Sequence, residues 1–321
     1  MRPAPDDSSV SRAEVLAIDV GGTKIATALV AADGSIGRRQ VIATADHQGA
    51  DDLAARLLDV VSGYDLAAIA GIGVGTAGPI DDRRGVVSPV NIPAWRDFPL
   101  RRCIEHSTGL PVRLAGDAVC GAVAERAIGA AQASEWAIFM VLSTGVGGGY
   151  IADGKVLAGR LGNAGLVGHM VVHPDGERCA CGQLGCLEVY ASGPSLVRRA
   201  RAIGWVGDHP AELLAACRAG DALAAQVVDT AADAVALAIA QAAASLEIEL
   251  AVLGGGVMRS HDVMLPAVRN ALARRMRDSI VSPVKIVGAH HSDDACLIGA
   301  GLIVHRPDVL TLTSRTTPAE L

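Results

Sequence analysis

Three cysteines, Cys179, Cys181 and Cys186, fall within eight residues, and His169 stands ten positions before the first. Thiolate and imidazole are the ligands zinc takes in closed tetrahedral sites, and three Cys with one His fill all four positions. His173 lies near enough to replace His169, and the residues alone leave that choice open. Gly176, Gly182 and Gly185 let so short a loop fold back around one ion. The spacing favours zinc over a set of buried or redox-active thiols. A site with no open position holds structure and does no chemistry.

A second kind of chemistry is written in glycines. The stretch VLAIDVGGTKIATALV reads as a strand ending at Val20, a Gly21-Gly22 turn and a second strand from Lys24. Glycines let backbone N–H groups approach an anion, Thr23 adds a hydroxyl, and Asp19 sits just before the turn. It is not a Walker loop, which would lead into a helix. The pattern returns after Trp136–Leu142 as STGVGGGY, with Thr144, Gly145, Gly147 and Gly148 as the second phosphate loop. Two such hairpins point to an internal duplication. Gly254, Gly255 and Gly256 end a further strand, where a flat ring could lie on bare backbone.

The elements that must position these groups alternate in type. Short apolar strands alternate with helical patterns such as Asp51–Val61, which places the chain in the α/β class. Gly75, Gly78 and Pro79 mark a loop at a strand's C-terminal end, where open α/β sheets bind ligands. Asn91 follows in SPVNIPAW, its amide suited to a hydroxyl pair, with Trp95 giving nearby bulk. Asp117 falls between a strand and an alanine-rich helix, roughly at the N-cap, a position Asp often takes for structural reasons alone. Half the residues are hydrophobic and only 2% aromatic, so the core is built from Ala, Val, Leu and Ile. A net charge of -6 argues against a nucleic-acid surface. No run of 18 apolar residues spans a membrane, and Ala231–Leu246 reads as a buried helix. With no secretory signal and four of seven cysteines scattered, a reducing cytoplasm is expected.

GH followed by C-x-C-G-x-x-G-C-x-E, from Gly168 to Glu188, resembles the signature of the ROK family of bacterial sugar kinases and related repressors. The D-x-G-G-T run at the first strand is similar to the first phosphate motif of the sugar kinase, Hsp70 and actin superfamily. Together these likenesses extend from about Leu16 to Gly301. They imply a two-domain actin-like ATPase fold with a zinc-binding loop at 169–186. The small domain would be 15–117 plus 296–308 and the larger one 118–295, with mobile tails at 1–14 and 309–321. The resemblance makes His169, Cys179, Cys181 and Cys186 the zinc ligands. Gly78, Asn91, His169 and Glu188 would line the sugar, and Asp117 would be the catalytic base. Asp19 would orient Mg²⁺ through water. Gly21, Gly22, Thr23 and Lys24 with the second loop would hold the phosphates of ATP, and Gly254–Gly256 its adenosine.

The implied reaction is phosphoryl transfer to the primary (6-)hydroxyl of a hexose, with glucose as the default. Alternatives are an amino sugar (N-acetylmannosamine, N-acetylglucosamine or kanosamine type) or a cyclitol. Two positions depart from the family pattern: Gly116 stands where Asn is usual, and Leu166 where Glu is usual. A carboxylate replaced by an apolar side chain leaves a hydroxyl there unpaired, which turns attention to an unusual acceptor. The family's regulators carry a helix-turn-helix ahead of the first motif, and the 14 residues before Val15 lack a helical pattern. An enzyme is therefore expected over a regulator lacking its DNA-binding domain. A homodimer is usual for the family.

Overall fold

The computed structural model describes residues 14–44, 48–291 and 294–311. The chain opens with β1 (Glu14–Val20), β2 (Lys24–Val30) and β3 (Ile36–Ala43), an antiparallel meander. After α1 (Ala50–Ser62) comes β4 (Ile69–Thr76), parallel to β1, and then a small hairpin of β5 (Ile80–Asp81) and β6 (Val86–Val87). Next follow α2 (Leu100–Thr108), β7 (Val112–Gly116) and α3 (Asp117–Ile128). The first sheet is ordered β3-β2-β1-β4-β7. A second meander, β8 (Ala137–Leu142), β9 (Val146–Ala152) and β10 (Lys155–Val156), leads into the cysteine loop. Helices α4 (Glu188–Ala191), α5 (Gly193–Ala202), α6 (Pro210–Arg218) and α7 (Ala222–Leu246) precede β11 (Leu250–Gly254). Then come α8 (His261–Met276), β12 (Lys285–Gly288) and α9 (Ala295–His305). The second sheet, β10-β9-β8-β11-β12, repeats the order of the first, with β11 parallel to both β8 and β12. The duplication expected from two glycine turns is thus a property of the whole fold.

Side-chain alternation along each central strand divides the core. Leu16, Ile18 and Val20 of β1 face one cluster with Leu53 and Leu57 of α1, while Ala17 faces another. In β8, Ile138, Met140 and Leu142 meet α5 and α7, while Ala137 and Phe139 turn the opposite way. The opposite sides share a single middle layer made of α3 and α9. Helix α7 is apolar nearly all round because it is buried, with twelve of its side chains in the core.

The middle layer requires small residues. A Cβ on Gly299 of α9 would collide with the Cys120 carbonyl of α3, and one on Gly73 of β4 with the Ala300 carbonyl. A Cβ on Gly121 would lie 2.5 Å from the Phe139 ring. At Gly299 and Gly73 backbone meets backbone, and neither partner can rotate away.

Some expectations change. Trp95 is fully buried in the first core, stacked on Phe98 at 4.7 Å with its indole N–H donated to the Ala50 carbonyl, so it adds no bulk to a ligand site. Glu14 of the expected N-terminal tail already belongs to β1, and the rest of that tail, 1–13, lies outside the described residues. At the other end the chain is tied down through Thr311, whose N–H bonds the Val156 carbonyl at 2.9 Å. Residues 312–321 lie outside the described residues.

Gly299→Ala is expected to destabilise by about 1–3 kcal/mol, the usual cost of overpacking a filled core. Calorimetry should show a melting temperature lowered by roughly 2–10 °C.

Candidate active site and metal centre

The metal loop assembles as its residue types require. One donor atom from each of His169, Cys179, Cys181 and Cys186 lies within 4.8 Å of every other. Cys179 Sγ stands 3.7 Å from His169 Nδ1, and Cys181 Sγ 3.6 Å from Cys186 Sγ. Zinc–sulfur bonds of about 2.3 Å in a tetrahedron put neighbouring sulfurs about 3.8 Å apart, so the donors are spaced for zinc. His173 lies with its ring against Tyr190 at 4.6 Å, and it is His169 that stands with the three thiols. The loop closes through Gly185, at φ +67°, where a Cβ would strike the His173 carbonyl. Leu187 N–H bonds the Met170 carbonyl at 2.9 Å, zipping the two ends of the loop together.

Two residues beyond the last cysteine, α4 begins with Glu188. Its Oε2 accepts the Val146 N–H at 2.9 Å, at the head of β9. The metal loop therefore fixes a carboxylate on the second glycine turn. That turn is shorter than its sequence implied. Ser143–Gly145 form the bend, with Thr144 exposed at its tip. Gly147 and Gly148 lie inside β9, where side chains would collide with Ala118 of α3 at 2.8 Å and with Val167 at 2.8 Å. Packing alone therefore requires glycine at both positions.

Asp117 is the first residue of α3, and Gly116 takes the N-cap. The Asp117 carboxylate accepts its neighbour Ala118's N–H at 2.6 Å. Burial raises its pKa. Asp19, at the end of β1, is close enough to feel that charge. Burial lifts Asp19 to about 6, the Cys296 thiol pulls it back, and Asp117 adds to the rise. The thiol donates to Asp19 Oδ1 at 3.0 Å from the first turn of α9. The cysteine's role had no sequence signal, since nothing near Cys296 distinguishes it from the other scattered thiols.

At the first glycine turn Gly21 N–H bonds the Lys24 carbonyl at 3.0 Å, and Thr23 and Lys24 are exposed. A Cβ on Gly22 would lie 2.6 Å from the Asn91 side chain, so the Asn91 loop is seated on this turn. Gly78 joins the same loop, its carbonyl accepting the Val90 N–H at 3.2 Å. Asp19 thus feels Asp117 at the head of α3, and α3 packs through Ala118 on Gly147 of β9, the strand whose head holds Glu188.

Beyond the second turn opens a cavity of about 660 Å³. Thr144, Gly193, Val197, His209, Gly256 and Arg259 are among its walls. Of the expected glycine triplet, Gly256 alone reaches it. Gly254 packs on Ala289, and Gly255 turns under the Leu142 carbonyl. The α5 and α6 contributions were missed in sequence, although Ser192-Gly193-Pro194 and His209-Pro210 carry the cap-and-proline signals of helix starts.

Two like sheets around a shared helix pair, each with a glycine turn, and a Cys₃His loop beside the second define the actin-like fold of zinc-loop sugar kinases. The chain belongs to the ROK family, whose model matches residues 15–307. It is 36% identical over 293 residues to the N-acetylmannosamine kinase of Yersinia pestis (strain Pestoides F), covering 89% of this chain and 97% of that one. A ROK family glucokinase from Streptomyces griseus, solved with glucose and AMPPNP, superposes with a TM-score of 0.78 at 32% identity, covering 90% and 98% of the two chains. A ROK family transcriptional regulator, a homologue of the E. coli MLC protein, superposes with a TM-score of 0.79 at 27% identity, covering 90% of this chain and 77% of the regulator.

Metal analysis of purified protein is expected to find ~1 zinc per chain, as a closed four-ligand site implies. His169→Ala should lose the metal together with thermal stability, and His173→Ala should keep it. The reverse pattern would reassign the ligand.

Proposed function

We propose that this chain transfers the γ-phosphoryl group of ATP to the primary hydroxyl of a hexose-type sugar, with an N-acetylated amino sugar as the first acceptor to test. The observation that carries the reading is the pairing of Asp19 with Asp117 between two glycine turns, one of which borders the 660 Å³ cavity. Residues 15–117 with 296–308 would form one lobe and 118–295 the other, with the reaction between them. The adenosine end of ATP would occupy the cavity against Gly256, and Thr144 and Thr23 would meet its phosphates.

Phosphoryl transfer passes through a loose transition state, so positioning and charge stabilisation do most of the catalysis. Asp117 accepts the hydrogen bond of the acceptor hydroxyl and later its proton. Its raised pKa improves it as a base, because a proton acceptor works best with a pKa nearer the working pH. Asp19 offers a hard, partly desolvated oxygen donor, which suits Mg²⁺ held through water. Mg²⁺ bound with the nucleotide neutralises charge on the β- and γ-phosphoryl oxygens. Glu188, aimed by the metal loop, bonds sugar hydroxyls along with Asn91 and His169.

The acceptor is read from two departures. Leu166 is 51% exposed, an apolar side chain where a hydroxyl-binding carboxylate is usual. Such a surface suits the methyl of an N-acetyl group better than a bare hydroxyl, in keeping with the activity of the Yersinia relative. Gly116 has room, since a Cβ would meet only Val119 at 3.6 Å and the Gly162 carbonyl at 3.8 Å. A Cβ placed there would fit.

A panel of hexoses and N-acetylhexosamines with ATP and Mg²⁺ tests the reading. N-acetylmannosamine is expected to exceed glucose in kcat/KM. No turnover on any sugar would sink the kinase assignment. In the active pair, Asp117→Asn should lower turnover by about 10²-fold or more with KM for ATP near normal.

Gly116→Asn combined with Leu166→Glu should raise kcat/KM for glucose roughly ten-fold or more, the scale of one or two restored hydrogen bonds. An unchanged value beside high wild-type glucose activity would return glucose as the substrate.

A further inference from the structure

The loop between β10 and the metal site, residues 157–166, crosses to the β5–β6 hairpin of the first half and is fastened there. Asn163 Oδ1 accepts the Ile80 N–H at 2.8 Å, and Asn163 Nδ2 donates to the Ile80 carbonyl at 2.6 Å. One carboxamide thus satisfies both backbone groups of a single residue, as a neighbouring strand would. A third bond runs alongside, from Asp82 N–H to the Leu161 carbonyl at 3.0 Å. Between them Gly162 lies so close that a Cβ would sit 2.6 Å from Ile80 Cδ1.

Both fastened pieces are also anchored within their own halves. Arg101 of α2 donates to the Asp82 carbonyl at 2.6 Å and pairs with its carboxylate. On the other side Val167 is buried against Gly148, and the Gly168 backbone lies against the Val146 carbonyl. Each piece also leads straight to groups placed at the acceptor. Gly78 precedes Ile80 by two residues, and Leu166 and His169 follow Asn163 by three and six.

We propose that Asn163 is a positioning residue for the acceptor sugar, its carboxamide setting the distance between the Gly78–Asn91 wall and the Leu166–His169 wall. This rests on the sugar kinase reading above. Asn163 is not among the residues lining the 660 Å³ cavity and spends its carboxamide on the Ile80 backbone, so its loss loosens the acceptor site and leaves the nucleotide cavity as it was. The loop's sequence, GRLGNAGLVGH, gives the residue no motif, and only its partner in space reveals the role.

The test compares wild type with Asn163→Ala and Asn163→Asp, the latter keeping the acceptor for Ile80 N–H but turning a carboxylate on the Ile80 carbonyl. In the free enzyme, hydrogen exchange at Ile80 should speed up in the Ala variant. With the best sugar of the panel, KM for sugar should rise about 5- to 30-fold in the Ala variant, the scale of two lost neutral hydrogen bonds. The Asp variant should lose at least as much. KM for ATP and zinc content should stay near wild type in both, while melting temperature falls by roughly 2–10 °C, the scale of the lost hydrogen bonds. Unchanged exchange at Ile80 would show that the contact is not held in solution. Faster exchange with an unchanged sugar KM, or a KM for ATP that rises along with that for sugar, would reduce Asn163 to a structural role. A wild type inactive on every sugar sinks the kinase reading instead, a failure visible before any variant is made.

Discussion

The fold depends on how closely α3 and α9 can approach. Each half of the chain builds a five-stranded sheet, and neither covers its inner face by itself. The two helices cover both faces at once, which is possible only where glycine and alanine let backbones touch. That closeness has a chemical product. Asp117 starts α3 and Cys296 starts α9, so the helix contact sets the separation between the candidate base and the thiol that holds Asp19. A fault in the middle layer would therefore reach the chemistry as well as the stability.

The same region works against folding in one respect. Burial is the main reason that Asp19 is lifted to about 6, and the neighbouring Asp117 adds to the rise, so ionising both carboxylates is costly. A protein optimised for stability alone would pair one of them with a base or replace it. Keeping both is the pattern of a site in which local destabilisation serves a charged ligand that arrives later.

Much of this was legible in residue types and spacing. The cysteine cluster was legible because three thiols in so short a run have few other uses, while only the fold shows His169 beside them and His173 turned to Tyr190. The paired glycine turns gave the duplication, but not which glycines bend. Gly147 and Gly148 look the same in sequence as Gly145, yet they serve α3 and Val167, neighbours that only the tertiary fold brings to β9. Trp95 misled for the opposite reason, since proximity in sequence to Asn91 says nothing about which face of the loop a side chain takes. Cys296 and Asn163 were invisible because their meaning lies wholly in partners 277 and 83 residues away.

Glu177, within the cysteine loop, reaches back to both Arg198 and Arg199 of α5. Those ion pairs are partly exposed and contribute little energy of their own. Their value is geometric, because Arg198 also lines the 660 Å³ cavity while the same loop carries Glu188 on its other side. A single cysteine-rich segment thus braces two walls, one at the cavity and one at the second glycine turn. Such a brace needs no moving part, and an ion closing the Cys₃His cluster would stiffen both walls at once.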